Sequence, residues 1–263
     1  MPALPKEAAS VLLLRDAPGG GGLEVLMVRR HSGSDFAPSM HVFPGGAVEE
    51  GDCSREMACL CAGLGREEAM RVIPDAPSPV RALGILVAGI RETFEETGIL
   101  LACLASGELV SCQGETAARF AAYRLGLREG RLSFREVLEG EGLRPALDRL
   151  VYFAHWVTPE ISPIRYDTRF FLAAAPPRQA ALHDGVETTD HVWISPARAL
   201  ERNRRGDFAM LPPTLFNLVE LREYATVEEA LASAAAREVP LVAPRVIFEG
   251  GRMRLIIPGE NGP

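Results

Sequence analysis

Three glutamates lie close together in one short stretch of the sequence, RETFEETG, which runs from Arg91 to Gly98. With about 3.6 residues per helical turn, Glu92, Glu95 and Glu96 fall at positions i, i+3 and i+4 and project from one helix face. Like charges at this spacing destabilise a helix by roughly 0.2–0.5 kcal/mol per pair. A divalent cation would neutralise them, and hard carboxylate oxygens suit Mg²⁺ or Mn²⁺. The stretch therefore indicates either a metal site or a solvated acidic helix face.

A second stretch, FPGGAVEEGD, covers residues 43–52 and combines a Pro-Gly-Gly turn signal with three carboxylates. Taken alone it is typical of an ordinary turn. Because the helix that follows carries the acidic cluster, the two stretches are predicted to be halves of one site.

Together the two stretches resemble the Nudix box, G-x5-E-x7-R-E-U-x-E-E-x-G-U, in which U is aliphatic. Gly46 and Asp52 match its first half, with Asp in place of Glu. The second half is matched by Arg91, Glu92, Glu95, Glu96, Gly98 and Ile99. Two departures are visible: Thr93 replaces an aliphatic residue, and residues 53–90 replace a spacer of seven. A loop can absorb such an insertion, because doubling its length costs only about 0.6 kcal/mol.

The similarity extends over most of the chain, through FAPSMHVFPGG, AGIRETFEETGILL and WVTPEISPIRYDTRFFL. These segments resemble the Nudix branch that contains the mammalian peroxisomal coenzyme A diphosphatase. The resemblance implies an α/β class, the Nudix α/β/α sandwich with a mixed sheet and extra helices. It also implies metal-dependent hydrolysis of a nucleoside diphosphate-linked small molecule, coenzyme A or an acyl-coenzyme A. ADP-ribose, nucleotide sugars and NADH remain alternative substrates, and a non-catalytic ligand-sensing module is an alternative of another class.

The same resemblance assigns roles within the box. Glu92 and Glu96 are expected to bind the metal, with Glu95 sharing the site and Arg91 orienting a carboxylate. Arg91, Glu92 and Glu95 are thus the expected catalytic residues of the box. The turn at Gly45 and Gly46 would let the backbone approach a metal-bound diphosphate.

Candidates outside the box are weaker. Glu187, in the loop HDGVETTDH, is either the general base or an extra ligand, or else a solvated loop carboxylate; His183 and His191 share that loop. Arg165 and Arg169 flank YDT and are either substrate-binding residues, which could meet the 3'-phosphate of coenzyme A, or ordinary surface arginines.

Other aromatic and basic residues add little. Trp156 and Trp193 could stack on an adenine or lie in the core. Arg29, Arg30 and His31 precede the Gly-Gly turn, in a region where another group of coenzyme A-cleaving Nudix enzymes carries a motif. The stretch RRHSGSDFAPSMHVFPGG does not reproduce that motif, so coenzyme A specificity depends on the resemblance to the branch.

Strands and helices are interspersed along the 263 residues without a repeat or a low-complexity linker. We therefore expect a single domain over residues 1–263, with an insertion at about residues 53–80 and a helical elaboration at about residues 212–238. The insertion is expected to cover or border the substrate mouth without supplying catalytic groups.

The amino-acid composition limits which binding partners are expected. A net charge of -7 disfavours nucleic acid and anionic membranes, so an anionic substrate would need a bridging cation. No apolar run is long enough for a membrane span, no signal peptide precedes the chain, and no Ser-Lys-Leu type address follows it; we expect a cytoplasmic protein. Five cysteines without a CxxC pair favour reduced thiols. The sequence leaves oligomerisation open.

Local patterns also predict individual elements. ASVLLLRD and LEVLMVRR should pair as a hairpin around APGGGG, and VRALGILVAGIRETFEET should form a helix that Gly98 ends. Capping boxes are expected at Ser133 with Glu136 and at Thr226 with Glu229. A last hairpin should turn at Gly250–Gly251.

Overall fold

A mixed β-sheet at the centre of the protein organises the computed structural model, which describes residues 3–61, 64–249 and 252–257. The strands are β1 (Lys6–Asp16), β2 (Leu23–Arg30), β3 (His41–Val42), β4 (Gly45–Ala47), β5 (Ala102–Cys103), β6 (Arg144–Pro145), β7 (Val151–Val157), β8 (Tyr166–Ala174), β9 (Thr188–Ile194), β10 (Leu241–Val242), β11 (Arg245–Glu249) and β12 (Arg252–Ile256). The helices are α1 (Arg55–Leu60), α2 (Arg66–Val72), α3 (Pro79–Thr97), α4 (Glu115–Arg128), α5 (Phe134–Glu141), α6 (Pro196–Arg205), α7 (Pro212–Leu221) and α8 (Val227–Ala235).

Strand β1 is the central strand of this sheet. It runs parallel to β8 and antiparallel to both β4 and β2, which share its other edge. The remaining strands extend the sheet in the order β10-β7-β8-β1-β2-β3, with β9 beside β2. The strand is an almost continuous apolar run because both of its faces are buried, as expected for a strand inside a layered α/β fold.

Alternate side chains of β1 enter two separate cores. Val11 and Leu13 pack against the layer that contains α3, whereas Leu12 and Leu14 pack against the layer that contains α6, α7 and α8. This two-residue alternation is the side-chain period of a strand. The sheet therefore lies between two helical layers, and the predicted α/β/α sandwich with a mixed sheet is confirmed.

The helix α3 has well-defined ends. The Ser78 hydroxyl accepts a hydrogen bond from the Arg81 amide at 3.3 Å, and Pro79 follows in the first turn, where a missing N–H costs nothing. Gly98 ends the helix in the left-handed conformation, with φ of 73°, as the sequence predicts. Ile90 and Phe94 are fully buried, so one side of the helix is fixed to the core and the other carries the box glutamates.

The insertion between the two halves of the box forms α1 and α2. Met57, Ala69 and Ile73 are buried in the same core as α3, so the insertion packs on that helix as part of its layer. The helical elaboration expected near residues 212–238 is present as α7 and α8. The single-domain organisation over residues 1–263 stays a prediction.

Most of the smaller expectations hold. The Ser133–Glu136 capping box is complete, whereas Thr226 caps the Glu229 amide but the Glu229 carboxylate accepts from the Ala225 N–H instead. Strands β11 and β12 pair antiparallel, and the predicted turn between them lies outside the described residues. Two helices, α4 and α6, were not predicted. No helix in the described part of the chain has the length and apolar content needed to cross a membrane.

Candidate active site

Arg91 joins the two halves of the box. Its Nε and Nη2 donate to the two oxygens of Asp52, each at 2.9 Å, and Nη2 also donates to the Ala47 carbonyl at 2.9 Å. Nη1 donates to Glu92 at 2.9 Å and lies 3.5 Å from Glu95. Burial lowers the pKa of Arg91, but the hydrogen bonds to Asp52 and the charge of Glu92 outweigh it and raise the pKa. The guanidinium therefore stays charged and fixes the carboxylates around it.

Glu96 is the most deeply buried of the three glutamates, with 2% of the residue exposed. Its Oε2 accepts a hydrogen bond from the Gly45 N–H at 3.1 Å, and Arg30 Nη1 lies 4.0 Å from Oε1. Burial, together with the charge of Glu92, holds the pKa of Glu96 well above its ordinary value. A carboxylate in this position needs additional positive charge to stay ionised.

Glu92 and Glu95 lie at the more open end of the cluster. Burial raises the pKa of Glu92 to about 7; Arg91 opposes this shift, and Glu95 and Glu187 add to it. The pKa of Glu95 is also raised, mainly by burial, although 28% of its side chain is exposed. Arg91 thus compensates only part of the negative charge on this helix face.

Glycine is required at both positions of the turn because neighbouring atoms lie too close for a side chain. A Cβ at Gly46 would lie 2.5 Å from the carboxyl carbon of Glu92, and a Cβ at Gly45 would lie 2.4 Å from the Ala9 carbonyl oxygen. The pairing of β4 with β1 holds the turn in place, and the Ser10 hydroxyl donates to the Pro44 carbonyl at 2.9 Å. The sheet therefore positions this turn directly against the acidic helix face.

A cavity of about 570 Å³ opens beside the cluster. Its polar end is formed by Glu92, Glu187, Arg30 and the Gly45–Gly46 turn. The rest is mainly apolar, and its walls include Phe36, Phe43, Trp156, Val157, Ile161, Tyr166, Phe170, Leu211, Pro212, Pro244, Val246 and Leu255. This combination of a charged end and an apolar body is typical of small-molecule sites.

The structure places Glu187 at the border of this cavity. Its carbonyl accepts from the His31 N–H at 2.8 Å and its N–H donates to Asp184 at 3.2 Å, so the loop is held at both sides of the residue. The Glu187 side chain is exposed, and its charge contributes to the raised pKa of both Glu92 and Glu96. His183 and His191 lie outside the cavity wall, with their rings 5.7 Å apart.

The two candidate arginines, one just before β8 and one within it, have different surroundings. Tyr166, Thr168 and Phe170 line the cavity, and the alternation of a strand turns Arg169 to the opposite face. There Arg169 is 2% exposed and donates to Asp75 at 2.8 Å. The expectation that Arg169 meets substrate is corrected by this burial. Arg165 lies in a groove that adjoins the cavity.

The insertion has a different place from the one expected. None of the described residues that form the cavity wall belongs to residues 53–80. The expectation that the insertion covers or borders the substrate mouth is corrected: α1 and α2 pack on α3, and Asp75 accepts a partly buried hydrogen bond from Arg169. The segment therefore lies behind the acidic helix.

Arg30 is a residue of the site to which the sequence gave no role, although it lies just before the Gly-Gly turn. Among the described residues it is the one cationic side chain in the cavity wall, and its Nε donates to the Phe36 carbonyl at 3.0 Å. The signal in the sequence was only its closeness to the FPGG turn, because Arg30 and Glu96 are 66 positions apart in the chain.

The acidic cluster is suited to a divalent cation in its chemistry. Within the described residues, no three His, Cys, Asp or Glu side chains are already grouped closely enough to hold a metal ion. Arg91 Nη1 instead contacts Glu92 and Glu95. The fit comes from the donor set: carboxylate oxygens on one helix face, where burial, and to a lesser extent the neighbouring carboxylates, raises the pKa of Glu92 and Glu96 and favours a compensating cation.

Comparison with known proteins agrees with this geometry. A family profile described as the NUDT19 Nudix domain matches residues 75–221. The acyl-coenzyme A diphosphatase NUDT19 of Gallus gallus is 31% identical over 265 residues, which cover 85% of this chain and 70% of the relative. Its Xenopus laevis counterpart is 28% identical, and the match covers 78% of this chain and 61% of the relative.

A solved structure confirms the fold. The crystal structure of a Nudix hydrolase from Alicyclobacillus acidocaldarius superposes with a TM-score of 0.72 at 26% sequence identity. The superposition covers 88% of this chain and 96% of that one.

Proposed function

The chain belongs to the Nudix hydrolases, in the NUDT19 Nudix domain family, and we propose that it hydrolyses the diphosphate bond of coenzyme A or an acyl-coenzyme A with Mg²⁺ or Mn²⁺. The observation that carries this proposal is the cluster of Glu92, Glu95 and Glu96 on one face of α3, of which Glu92 borders the polar end of the cavity and Glu96 is buried behind the Gly45 turn. A ligand-sensing role has less support, because all three box glutamates are kept.

The residues of the box have different proposed roles. Glu92 and Glu96 would hold the cation, and Glu95 would share the site. When bound, the cation would polarise the diphosphate and lower the pKa of the attacking water. Arg91 orients Glu92 through a charge-assisted hydrogen bond of 2.9 Å and is itself held by Asp52.

Glu187 is the proposed general base. Its exposed carboxylate borders the cavity beside Glu92, where it can accept a proton as the water oxygen bonds to phosphorus. The bond from that phosphorus to the bridging oxygen breaks, and the leaving phosphate carries the electron pair. With coenzyme A the products are 3',5'-ADP and 4'-phosphopantetheine.

Binding of the diphosphate would involve the turn and one arginine. Gly45 and Gly46 border the cavity beside Glu92, so the backbone of the turn would lie against the bound diphosphate. Arg30, in the same wall, would supply positive charge in addition to the cation. The small-molecule substrate is thus expected to place its scissile bond at the polar end of the cavity.

A substrate panel tests the proposal. Purified protein is assayed with coenzyme A, an acyl-coenzyme A, ADP-ribose, NADH and a nucleotide sugar, each with Mg²⁺, with Mn²⁺ and with excess EDTA. We expect the highest kcat/KM for a coenzyme A compound, products cleaved at the diphosphate, and no turnover with EDTA. A tenfold or greater preference for ADP-ribose or NADH would reject the coenzyme A assignment and leave the Nudix chemistry in place.

A further inference from the structure

Glu187 belongs to a loop, residues 182–188, that is attached to the end of the helix carrying the box glutamates. Resting on the proposed function, we propose that Asp184 and Thr188 are positioning residues, which hold Glu187 in a fixed place relative to the acidic face of α3. The general base and the metal ligands then form one unit, although 92 positions separate Thr188 from Glu96 in the chain.

The carbonyl groups at the end of α3 are contacted by this loop. The Gly98 N–H makes the last hydrogen bond of helical type, so the carbonyls just before it lack partners within the helix. The Thr97 carbonyl accepts a hydrogen bond from the Leu182 N–H at 2.8 Å. The Thr188 hydroxyl lies 3.3 Å from the Glu96 carbonyl oxygen. Both ends of the loop are therefore joined to the last turn of the helix.

Asp184 fixes the backbone on both sides of Glu187. Its Oδ1 accepts from the Val186 N–H at 3.1 Å and from the Thr188 N–H at 2.8 Å. Its Oδ2 accepts from the Glu187 N–H at 3.2 Å. Burial raises the pKa of Asp184, but the hydrogen bonds from these three amides outweigh it and lower the pKa. The carboxylate therefore stays ionised, and its charge strengthens the hydrogen bonds that shape the loop.

Thr188 connects the shaped loop to the helix. It is fully buried, and its hydroxyl lies 2.9 Å from Asp184 Oδ1 as well as 3.3 Å from the Glu96 carbonyl oxygen. Both partners are acceptors, so they share the single hydroxyl hydrogen. A side chain of the same shape without a hydroxyl could not make either contact.

The attachment matters because the Glu187 side chain is exposed, so its position relative to Glu92 depends on how firmly its backbone is held. A general base acts within about 2.6–3.2 Å of the atom whose proton it takes, or through one water. A displacement of about 1 Å can cost about a hundredfold in rate. Loosening the loop should therefore lower kcat while KM stays nearly unchanged.

The kinetic test asks whether the Thr188 hydroxyl is needed. Wild type, Thr188→Val and Thr188→Ser are assayed at saturating Mg²⁺ with coenzyme A, and with ADP-ribose as a second diphosphate. We expect Thr188→Val to lower kcat about tenfold with KM changed less than about twofold, and Thr188→Ser, which keeps the hydroxyl, to stay within about threefold of wild type. Thr189→Val, at the exposed next residue, is the matched control.

A double-mutant cycle separates positioning from a merely structural role. Glu187→Gln should itself lower kcat about a hundredfold or more. If Thr188 acts through Glu187, Thr188→Val should change kcat less than about twofold in the Glu187→Gln background. If Thr188→Val does not fold, Asp184→Asn, which replaces one acceptor oxygen, takes its place in the cycle. Equal losses of kcat in both backgrounds, or full activity of the folded variant, would overturn the proposal.

Hydrogen exchange tests the attachment without turnover. Mass spectrometry follows peptides that cover residues 182–190 and residues 79–97 in wild type and in each variant. We expect the first peptide to exchange about fivefold faster or more in Thr188→Val and Asp184→Asn, but not in Thr189→Val, while the second peptide stays unchanged. Unchanged exchange of the first peptide in both variants would overturn the attachment. Turnover of neither compound by wild type would reject the proposed function and the catalytic role of the loop, and the exchange result would still decide the attachment.

Discussion

Arg91 and Asp52 are 39 positions apart in the chain and are joined by two hydrogen bonds of 2.9 Å. Asp52 is 2% exposed and also accepts from the Glu49 N–H, so it ends the Gly-Gly segment in a fixed place. The insertion begins at the next residue. This pair therefore keeps the acidic loop and the acidic helix together although a helical segment separates them in sequence.

The first prediction concerns that pair. Asp52→Asn keeps the shape of the side chain but leaves Arg91 without its buried counter-ion, so the free energy of unfolding should fall by about 3–5 kcal/mol. Urea denaturation measures the change. Asp148→Asn, at an exposed aspartate 3.7 Å from Arg149, should change stability by less than about 1 kcal/mol. A loss at Asp52 no larger than that of the control would contradict the bridging role.

The second prediction concerns the space beside Glu92. Because a Cβ at Gly46 would lie 2.5 Å from its carboxyl group, Gly46→Ala should displace Glu92 and lower kcat at least tenfold. Gly51→Ala is the matched control, since its Cβ would meet nothing within 4 Å. Circular dichroism verifies folding in both variants. Unchanged kcat in folded Gly46→Ala would show that the position of Glu92 does not matter.

A third prediction tests the metal assignment through Glu96. Glu96→Gln keeps the size and hydrogen-bonding capacity of the side chain and removes its charge, so kcat should fall about a hundredfold or more. Burial without a cation disfavours the charged form of this group, so the thermal midpoint in EDTA should not decrease. Glu108→Gln, at an exposed turn residue, serves as the control. Full activity of Glu96→Gln would remove Glu96 from the proposed ligands.

Sequence reasoning succeeded where the relevant geometry is local. The spacing of Glu92, Glu95 and Glu96 specifies one helix face, and Gly98 specifies the end of that helix, because both depend only on helical geometry. Arg169 could not be placed in this way. Strand alternation shows that it faces away from Thr168, but only the packed sheet shows which face contains the cavity.

Long-range partners explain the other differences. Asp75 and Arg169 are 94 positions apart, and nothing in either local pattern identifies the other. The cavity likewise combines the start of the chain with Leu211, Pro244 and Leu255 from its last quarter. The insertion was expected at the substrate mouth, yet its apolar residues are buried against α3.

The fourth prediction is a pH dependence of metal binding. A cation must displace the proton from Glu92, whose pKa burial raises to about 7, so affinity for Mg²⁺ should increase as the pH rises from 6 to 8. The sign for stability is opposite: without metal, the folded protein binds this proton more tightly than the unfolded chain, so stability should decrease as the pH rises through about 7. Calorimetric titration at three pH values measures the first effect. Affinity that is independent of pH, or increases on acidification, would contradict it.

The fifth prediction concerns the partly buried ionic cluster that attaches the insertion to the sheet. Asp75 accepts from Arg169 at 2.8 Å and from the Tyr152 hydroxyl at 2.9 Å, and its Oδ2 lies 3.0 Å from His155 Nδ1. Burial raises the pKa of Asp75, but the hydrogen bond with His155 and the charge of Arg169 outweigh it and hold the pKa well below its usual value. Arg169 is almost fully buried, but 35% of the Asp75 side chain is exposed and solvent screens the pair, so Asp75→Ala should cost about 1–2 kcal/mol of the free energy of unfolding.

A depressed carboxyl pKa stabilises the fold above the unfolded-state value near 4, and this contribution is lost as the pH falls through the lower folded value. Asp75→Ala should therefore also reduce the acid sensitivity of stability, measured by denaturation between pH 3 and 7. Asp35→Ala, at an exposed aspartate, is the control for charge removal. The kcat and KM of folded Asp75→Ala should remain within about threefold of wild type, because Asp75 lies outside the cavity wall. A large loss of kcat at unchanged stability would instead give the insertion a direct part in catalysis.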